Sequence, residues 1–405
     1  MAIDKLVDST QLNTDLAAVA NAIRAKGGTN NSLEFPNGFV AAIENISTGG
    51  VSEKDVNFRD YDGTILYSYT AEEFAGLSVL PANPTHEKLT AQGWNWTLAQ
   101  ITAQLAIAPG YPVFVGQVYT TTSGNTEIDI ELNNPSKLTP TLGLAVNGSA
   151  SIDWGDNSAS VTLTGTSLTT RKSATHTYAS VGKYTISISV PSGSKIALYD
   201  PQGTSGYGLL GANTHGTSSY ARNMPYKMSI KAIRIGGNTE IGQYACYMCA
   251  NIEYITLPIG ITTIGTYGLS CLRSIQTFIL PPGLITIESY ACYQAHKVEY
   301  ISLPPGIISI GNYGFSYCYN TKYFILPSSI TTLGDCSFQQ GYLVRMIAYS
   351  SNITTCGNSV FAGSWLAESI NIPEGTKAIG NTCFSECFSI NSSLVIPSTV
   401  ESIGN

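Results

Sequence analysis

The sequence predicts a mainly β, multi-domain protein whose C-terminal part is a solenoid of repeated coils. The C-terminal part repeats one pattern every 23 residues. The phrases LPIGITTIG, LPPGLITIE and LPPGIISIG, for example, begin at Leu257, Leu280 and Leu303. Short alternating apolar segments separated by Gly, Asn, Asp and Ser fill the middle, as in strands joined by turns. Helical spacing is found in the first 50 residues and in one segment near residue 100.

Composition argues against several classes of function. Charged residues make up 12% of the 405 residues, and the net charge of −7 includes no basic run, which disfavours a nucleic-acid partner. No apolar stretch is long enough to span a bilayer, so we expect no membrane insertion. The start, MAIDKLVDSTQLNTD, lacks the cationic and apolar regions of a secretory signal, so we expect release by lysis or within a particle.

Residues 1–50 are predicted to form a helical N-terminal anchor. Leu12, Leu16, Val19 and Ile23 recur at helical spacing and form one apolar stripe. A helix this short is marginal in water, so the stripe must pack against something. It is therefore a candidate assembly interface, either with another copy in a homo-oligomer or with a different protein. A small helical cap on the next domain is the alternative.

Residues 51–134 are predicted to form a mixed α/β module. The segments GTILYSYT, FVGQVYTT and TEIDIEL have strand-like patterns, whereas TLAQITAQLAIA has helical spacing. Trp94 and Trp96 lie two residues apart, on one side of an extended segment. Such a pair could stack on a sugar, but a core or interface pair is the favoured interpretation.

Residues 135–200 have the pattern of an all-β domain, with the short strand segments TLGLAV, SASIDW, SVTLTG and KYTISISV. The turn IDWGDNS and the later HTYASVGKYTISI resemble the PKD-type immunoglobulin-like domain. Trp154, Asp156 and His176 fall on the motif of that family, whereas Asn157 replaces its usual glycine. The resemblance covers about 60 residues and implies a two-sheet sandwich that acts as a spacer or contact module.

Residues 201–232 are rich in Gly, Ser, Thr and Asn, which predicts a loop-rich linker that caps the next domain.

Residues 233–405 then follow one 23-residue grid, on which Glu288 fills one place and Gly404 comes one residue late. The grid glycines are Gly242, Gly265, Gly311, Gly334, Gly357 and Gly380. A period of this length indicates stacked coils, about seven here, that bury a shared core.

The repeated phrase L-P-x-x-[IL]-x-x-I-G-x-x-[AG]-[FLC]-x-x-C resembles the BspA-like leucine-rich repeats of bacterial and phage surface proteins. Each coil is predicted to contain one short strand, near YITLP or YFILP, and these strands stack into a sheet. The residue before each grid position and the residue four places after it are predicted to fill the interior. Glycine at the grid position suits a tight corner where a Cβ would clash. Because the sequence stops at a grid glycine, we expect more coils or a packed partner at that end.

No catalytic constellation is evident, so we predict a protein that is not an enzyme and that uses no cofactor or metal. All nine cysteines lie between Cys246 and Cys387. Cys249, Cys318 and Cys387 share one repeat position, so buried free thiols are favoured over zinc ligands and over a disulfide framework.

Two acidic groups have plainer explanations than metal binding or catalysis. Asp153 and Asp156 flank a turn and could bind calcium, but turn residues of a PKD-like loop are the favoured interpretation. Glu127, Asp129 and Glu131 lie on one face of a predicted strand. We expect solvated surface acids there rather than the facing carboxylate pair of a glycosidase.

Tyrosine recurs on the grid in two series. The first, two places after the grid position, is Tyr244, Tyr267, Tyr290 and Tyr313, and the second, twelve places after it, is Tyr254, Tyr300 and Tyr323. The second series should point away from the core and be exposed on the sheet. Stacked coils would turn each series into a ladder, a candidate host-binding surface because tyrosine offers a rigid apolar face and a hydroxyl. Stiffening of the solenoid by tyrosine stacking is an equal alternative.

The phrases AIRAKGG, FPNGFVAAI and LTAQGWNWT, within roughly the first 110 residues, resemble prophage-encoded tail and structural proteins of Gram-positive gut bacteria. The resemblance implies a phage tail fibre or receptor-binding protein, assembled in the host cytoplasm and located in the virion. Its N-terminal part would dock on other tail or baseplate proteins, and its solenoid would contact a host surface protein or glycan. A bacterial cell-surface adhesin is the alternative, and a polysaccharide depolymerase is a third, disfavoured class.

Overall fold

The computed structural model describes residues 54–107, 109–201, 209–211, 225–349, 351–390 and 394–405. Within these ranges the protein is mainly β with few helices, and its C-terminal part is a solenoid of about seven coils, as predicted. The predicted helical anchor, with Leu12, Leu16, Val19 and Ile23, lies outside the described residues and stays a prediction. Most of the predicted linker lies outside them as well.

The first part of the described chain, which we call the docking module, is a four-stranded sheet with two helices. Its strands are β1 (Val56–Arg59), β2 (Ile65–Tyr69), β3 (Leu89–Trp94) and β4 (Val113–Thr121), in the order β2-β1-β4-β3. Its helices are α1 (Ala71–Ala75), which begins at a capping box between Thr70 and Glu73, and α2 (Leu98–Ile107). These elements confirm the predicted strands GTILYSYT and FVGQVYTT and the predicted helix.

The core of the docking module is aromatic. Trp96 is 6% exposed, and the ring of Trp94 lies 4.8 Å from that of Phe58, edge to face. The indole nitrogen of Trp94 donates to the carbonyl oxygen of Pro81 at 2.9 Å. The tryptophan pair is therefore part of the core, where the indole nitrogen of Trp94 is hydrogen-bonded and that of Trp96 is buried without a partner.

The middle of the chain forms an antiparallel sheet that continues into the solenoid. Its strands are β5 (Thr126–Leu132), β6 (Thr141–Asp153), β7 (Val161–Thr175), β8 (Gly182–Ser189), β9 (Lys195–Leu198) and β10 (Leu210–Gly211). Strand β5, which the sequence grouped with the module, pairs with β8 instead. Strand β6 pairs with β7, β8 and β9, so one hydrogen-bonded network joins all of them. Because these strands share one hydrogen-bonded network, the two-sheet sandwich that the PKD resemblance implies is not confirmed.

Each complete coil of the solenoid has two short parallel strands, where the sequence predicted one. The predicted series is β11 (Ile230–Arg234), β13 (Tyr254–Thr256), β15 (Thr277–Ile279), β17 (Tyr300–Ser302), β19 (Tyr323–Ile325), β21 (Met346–Ala348) and β23 (Ser369–Asn371). The additional series is β12 (Thr239–Ile241), β14 (Thr263–Ile264), β16 (Thr286–Ile287), β18 (Ser309–Ile310), β20 (Thr332–Leu333), β22 (Thr355–Cys356), β24 (Ala378–Ile379) and β25 (Ser402–Ile403). Most of these additional strands are two residues long, too short to show the alternation by which strands are predicted.

The interior of the solenoid is filled as the repeat predicts. The residue before each grid position is buried in the coils up to Ile379. Four places after the grid, Phe315, Phe338, Phe361 and Phe384 form one stack, with ring centroids 5.5 to 5.7 Å apart and ring planes within 15° of parallel. Each stacked ring buries apolar surface against the coils on either side, so the core is continuous along the axis.

The solenoid and the middle sheet are joined through both strand series. Strand β11 pairs with β5, and β12 pairs with β9, so backbone hydrogen bonds cross the boundary at two places. The middle sheet therefore covers the N-terminal end of the solenoid, where an exposed edge would otherwise invite pairing with other chains.

Replacing Phe338 by alanine should lower the free energy of unfolding by about 3–5 kcal/mol, because it opens a cavity inside the aromatic stack. Chemical denaturation followed by circular dichroism measures this loss. Phe388, which is 74% exposed, gives the matched control, and Phe388→Ala should cost less than about 1 kcal/mol. Equal losses in the two variants would show that the core register is wrong.

Candidate binding surface

The first tyrosine series forms a true ladder. Ring centroids of Tyr244 and Tyr267 lie 4.9 Å apart, those of Tyr267 and Tyr290 4.6 Å, and those of Tyr290 and Tyr313 4.7 Å. Adjacent ring planes are within 10° of parallel, and all four side chains are half-buried. Each ring face is thus covered by its neighbour, while ring edges stay at the surface.

The backbone under this ladder is left-handed. The four tyrosines have φ between 53° and 59°, a region that bulky residues rarely adopt. The same position in the later coils holds Cys336, Ser359 and Thr382, which also have positive φ. The corner is therefore left-handed whatever side chain it carries, and the fold does not require tyrosine there.

A second ladder lies eight places after the grid position, and the sequence analysis missed it. It consists of His296, Tyr319, Tyr342, Trp365 and Phe388. The first four rings stack with centroids 4.4 to 4.7 Å apart, and Phe388 follows at 6.4 Å. Trp365 is 43% exposed. The 23-residue spacing was the available signal, but the changing ring type conceals it from a search for repeated tyrosine.

Two further tyrosines connect the ladders. The ring of Tyr293 lies 5.5 Å from Tyr290 in the first ladder and 5.4 Å from Tyr317. Tyr317 in turn lies 5.8 Å from Tyr319 in the second ladder. Together the two ladders, Tyr293 and Tyr317 form one continuous surface, which we call the aromatic face.

The second predicted tyrosine series is not exposed as expected. Tyr300 is only 8% exposed, with the Arg59 guanidinium carbon 3.5 Å from its ring centroid and the Phe114 ring 5.2 Å away. Tyr323 and Tyr254 are half-buried. The expectation fails because side chains of the docking module pack on this side of the coils. The ring of Tyr323 lies 5.3 Å from Phe114, and that of Tyr254 lies 4.7 Å from Tyr61.

Asn95 holds the docking module on the solenoid. Its side-chain nitrogen donates to the carbonyl oxygen of Leu280 and to the hydroxyl of Ser302, both at 2.9 Å. Its side-chain oxygen accepts from the backbone nitrogen of Gly116 at 2.8 Å. A Cβ on Gly116 would overlap the side chain of Ile279, so glycine permits the close approach. Because these groups are buried, the contact fixes one relative position of the two parts.

The acidic residues of strand β5 are paired, not solvated as predicted. The Arg234 side chain is 3% exposed and donates to Glu127 at 3.0 Å and to Asp129 at 2.6 and 2.7 Å. It also donates to the Tyr254 hydroxyl at 2.8 Å. Burial opposes ionisation of Asp129, but the hydrogen bonds from Arg234 hold its pKa below the usual value. A buried arginine needs such partners, so these acids serve the joint between the middle sheet and the solenoid.

Comparison with known proteins agrees with the repeat. Residues 222–344 and 285–405 match the family model described as BspA type leucine rich repeat region, with six copies. The C-terminal part of this chain carries BspA-type leucine-rich repeats.

Solved structures of leucine-rich repeat proteins are similar to parts of this chain. A T. pallidum leucine-rich repeat protein is 22% identical with a TM-score of 0.36, covering 38% of this chain and 74% of that one. A Bacteroides ovatus leucine-rich repeat protein is 16% identical with a TM-score of 0.21, covering 44% and 75%. A leucine-rich cell surface protein from Faecalibacterium prausnitzii is 15% identical with a TM-score of 0.19, covering 47% and 85%. No curated protein matches the chain.

The BspA-type repeats bury their cysteine thiols, as predicted. Burial raises the pKa of the Cys249 and Cys318 thiols to about 12 and that of the half-buried Cys387 to about 11. Within the described ranges, no group of three or more His, Cys, Asp or Glu side chains is placed to hold a metal ion. No helix of the described part is long and apolar enough to cross a membrane.

The acids of the PKD-like turn have local partners. Asp153 accepts from the backbone nitrogen of Gly155 at 2.9 Å, and Asp156 accepts from that of Ser158 at 3.1 Å. The second oxygen of Asp156 lies 2.7 Å from Nε2 of His176. The hydrogen bonds from Ser158 and His176 lower the pKa of Asp156 to about 2. These contacts fit the turn role that the sequence favoured for both acids.

Replacing Asn95 by alanine should lower the free energy of unfolding by about 1–3 kcal/mol, because Leu280 and Ser302 each lose a buried donor. Thermal and denaturant unfolding measure the loss. Limited proteolysis should also cut the variant faster near residues 109–112, beside the contact. Asn83→Ala, at an exposed position, is the control and should match the original protein. If Asn95→Ala is as stable as this control, the docking contact does not hold the module.

Native protein at pH 8 should resist alkylation by iodoacetamide at Cys318. With its pKa raised to about 12, about one thiol in ten thousand is ionised at that pH. Mass spectrometry after a short reaction should show an unmodified Cys318 in the folded protein and nine modified cysteines after unfolding without reductant. Native disulfides would appear as cysteines that resist alkylation even in the unfolded chain, and would contradict the free-thiol interpretation.

Proposed function

We propose that this protein is a non-catalytic recognition protein that attaches to a surface through its solenoid. The aromatic face supports this proposal, because it runs across most of the coils and its rings are partly exposed, up to 43% at Trp365. Tyrosine and tryptophan dominate the energetics of recognition surfaces, since they bring large contact area at low conformational cost. The later coils form without tyrosine at the first-ladder position, which supports a role beyond folding.

We propose that the recognition protein is part of a phage tail, as a fibre or receptor-binding protein. The support is the resemblance of AIRAKGG, FPNGFVAAI and LTAQGWNWT to tail and structural proteins. In this proposal the N-terminal part binds other tail or baseplate proteins, through the stripe of Leu12, Leu16, Val19 and Ile23. The docking module and middle sheet then hold the solenoid in one orientation towards the host.

A bacterial cell-surface adhesin is the second candidate, and BspA-type repeats suit it equally well. A polysaccharide depolymerase is less well supported, because two of its three candidate acids, Glu127 and Asp129, are bound by Arg234. We therefore expect no hydrolysis of polysaccharides by the protein.

Localisation separates the two candidates. Particles released by a cell that carries this gene are purified on a density gradient and labelled with antibody against residues 233–405. We expect labelling at the tail tip, and peptides of this chain in the mass spectrum of the particles. Labelling of intact, uninduced cells with none on the particles would overturn the tail assignment and favour the adhesin.

Deleting residues 1–50 should abolish incorporation into particles and leave the solenoid folded, because the anchor stripe and the repeats are separate in sequence. Incorporation is measured by immunoblot of purified particles, and folding by circular dichroism. In the full chain, Leu16→Asp should also block incorporation, whereas Thr14→Asp, off the stripe, should not. Normal incorporation of the truncated protein would place the anchor elsewhere.

A further inference from the structure

We propose that the first ladder, Tyr244, Tyr267, Tyr290 and Tyr313, binds a neutral polysaccharide that lies along the solenoid axis. This assignment names a ligand class for the proposed recognition function and rests on it. Three features of the ladder support it: tyrosine where the fold does not need it, a repeating geometry, and polar neighbours with two carboxylates, Glu288 and Asp335, beside them.

The fold accepts small side chains at the ladder position. Cys336, Ser359 and Thr382 occupy it in the later coils with the same left-handed backbone. The cost of the left-handed backbone is the same in every coil, so it does not explain why four of the coils carry a large aromatic ring at this position. The four tyrosines are also consecutive, which is what a continuous ligand would require.

The ladder presents one phenol per coil at a constant spacing. Parallel rings 4.6 to 4.9 Å apart cover each other's faces, so the outer edges and hydroxyls are what a ligand meets. A row of equivalent sites favours a ligand with equivalent groups at a regular interval. A polymer of sugars has that property, and each added contact raises the affinity through effective concentration.

The residues beside the ladder are mostly neutral and polar. The residues that directly precede the four tyrosines are Gln243, Thr266, Ser289 and Asn312. Glu288, the acid nearest in sequence, already accepts from the backbone nitrogen and hydroxyl of Thr266 at 2.8 and 2.7 Å. Hydrogen bonds from neutral groups leave this carboxylate charged, and Asp335 beside the next rung is exposed as well, so an acidic polymer is disfavoured. The hydroxyl and amide groups beside the four tyrosines match a neutral, hydroxyl-rich polymer.

Two phenols of the ladder, those of Tyr267 and Tyr313, have raised pKa values and keep their protons at physiological pH. Burial raises the pKa of Tyr267, and the contact with the Cys336 thiol raises that of Tyr313 to about 12. Neutral phenols both donate and accept hydrogen bonds, as the hydroxyls of sugars do.

A protein partner would suit another part of the aromatic face. Leu343 and Leu366, each 42% exposed, directly follow Tyr342 and Trp365 of the second ladder. Exposed aliphatic and aromatic side chains of this kind are typical of protein contacts. The residues beside the first ladder are polar instead, so the polysaccharide is assigned there.

The test uses the full-length protein and immobilised dextran, mannan and galactan, with polygalacturonate as an acidic comparison. We expect retention by at least one neutral polymer and weaker retention by polygalacturonate. Hexasaccharide fragments of the retained polymer should bind at least tenfold more tightly than disaccharides, because they span several rungs.

Two sets of variants locate the site on the ladder. Tyr267→Phe with Tyr290→Phe preserves the stacked rings and removes two hydroxyls, so affinity should fall at least tenfold with an unchanged unfolding midpoint. Tyr323→Phe, on the side packed against Phe114, is the matched control and should bind as the original protein does. Cys336→Tyr adds a fifth rung next to Tyr313 and should raise affinity at least threefold.

Retention by no neutral polymer, or full binding by the double Phe variant, overturns the polysaccharide assignment. If the protein still binds cells while no polymer retains it, surface recognition stands and a protein receptor replaces the polysaccharide. If it binds neither cells nor polymers, the proposed function itself fails.

Discussion

The whole C-terminal architecture depends on how closely successive coils approach at the grid corner. A Cβ on Gly265 would lie 2.6 Å from the carbonyl carbon of Gly242, and one on Gly380 would lie 2.6 Å from that of Gly357. No side chain fits at these two corners, so glycine permits the close approach of the coils there, whereas the corner at Glu288 accepts a side chain. Hydrogen-bonded strands of neighbouring coils lie about 4.7–4.9 Å apart. The stacked aromatic rings of the two ladders have nearly the same spacing, with centroids 4.4 to 4.9 Å apart. The binding surface is therefore a consequence of the backbone contact.

A second series of contacts extends this regularity along the outside of the corner. The side-chain oxygen of Asn312 accepts from the backbone nitrogen of Asp335, and those of Asp335 and Asn358 accept in the same way from the next coil. Glu288 replaces glycine at one grid place, and its carboxylate accepts from Thr266 of the preceding coil. Backbone donors that the tight corner leaves open thus receive partners from neighbouring coils, as exposed corners require.

The sequence was informative where one coil resembles the next and uninformative where distant segments meet. The grid predicted the phenylalanine stack and the first tyrosine ladder, because periodicity alone determines which residues lie above each other. Nothing local could predict that Arg59 covers Tyr300, or that Asn95 reaches Ser302, 207 residues away. The acids of β5 were misjudged for the same reason, since their partner Arg234 lies on a strand of the solenoid. Strands of two residues were missed because they carry too little pattern.

The docking module covers one side of the solenoid, and the aromatic face lies on the coils outside that contact. This arrangement explains why a recognition protein would contain the docking module. A long solenoid on a flexible joint would lose orientational freedom on binding, and that loss subtracts from affinity. Here the docking module is held on the solenoid by the hydrogen bond from Asn95 to Leu280 and by the contact of Arg59 with the ring of Tyr300. The middle sheet is held on it by the ion pairs of Arg234 with the acids of β5. The polar groups at Asn95 and Arg234 are buried and paired, which specifies a single arrangement better than apolar packing alone. The docking module uses one tyrosine series as its own binding site, and this contact orients the coils that carry the aromatic face.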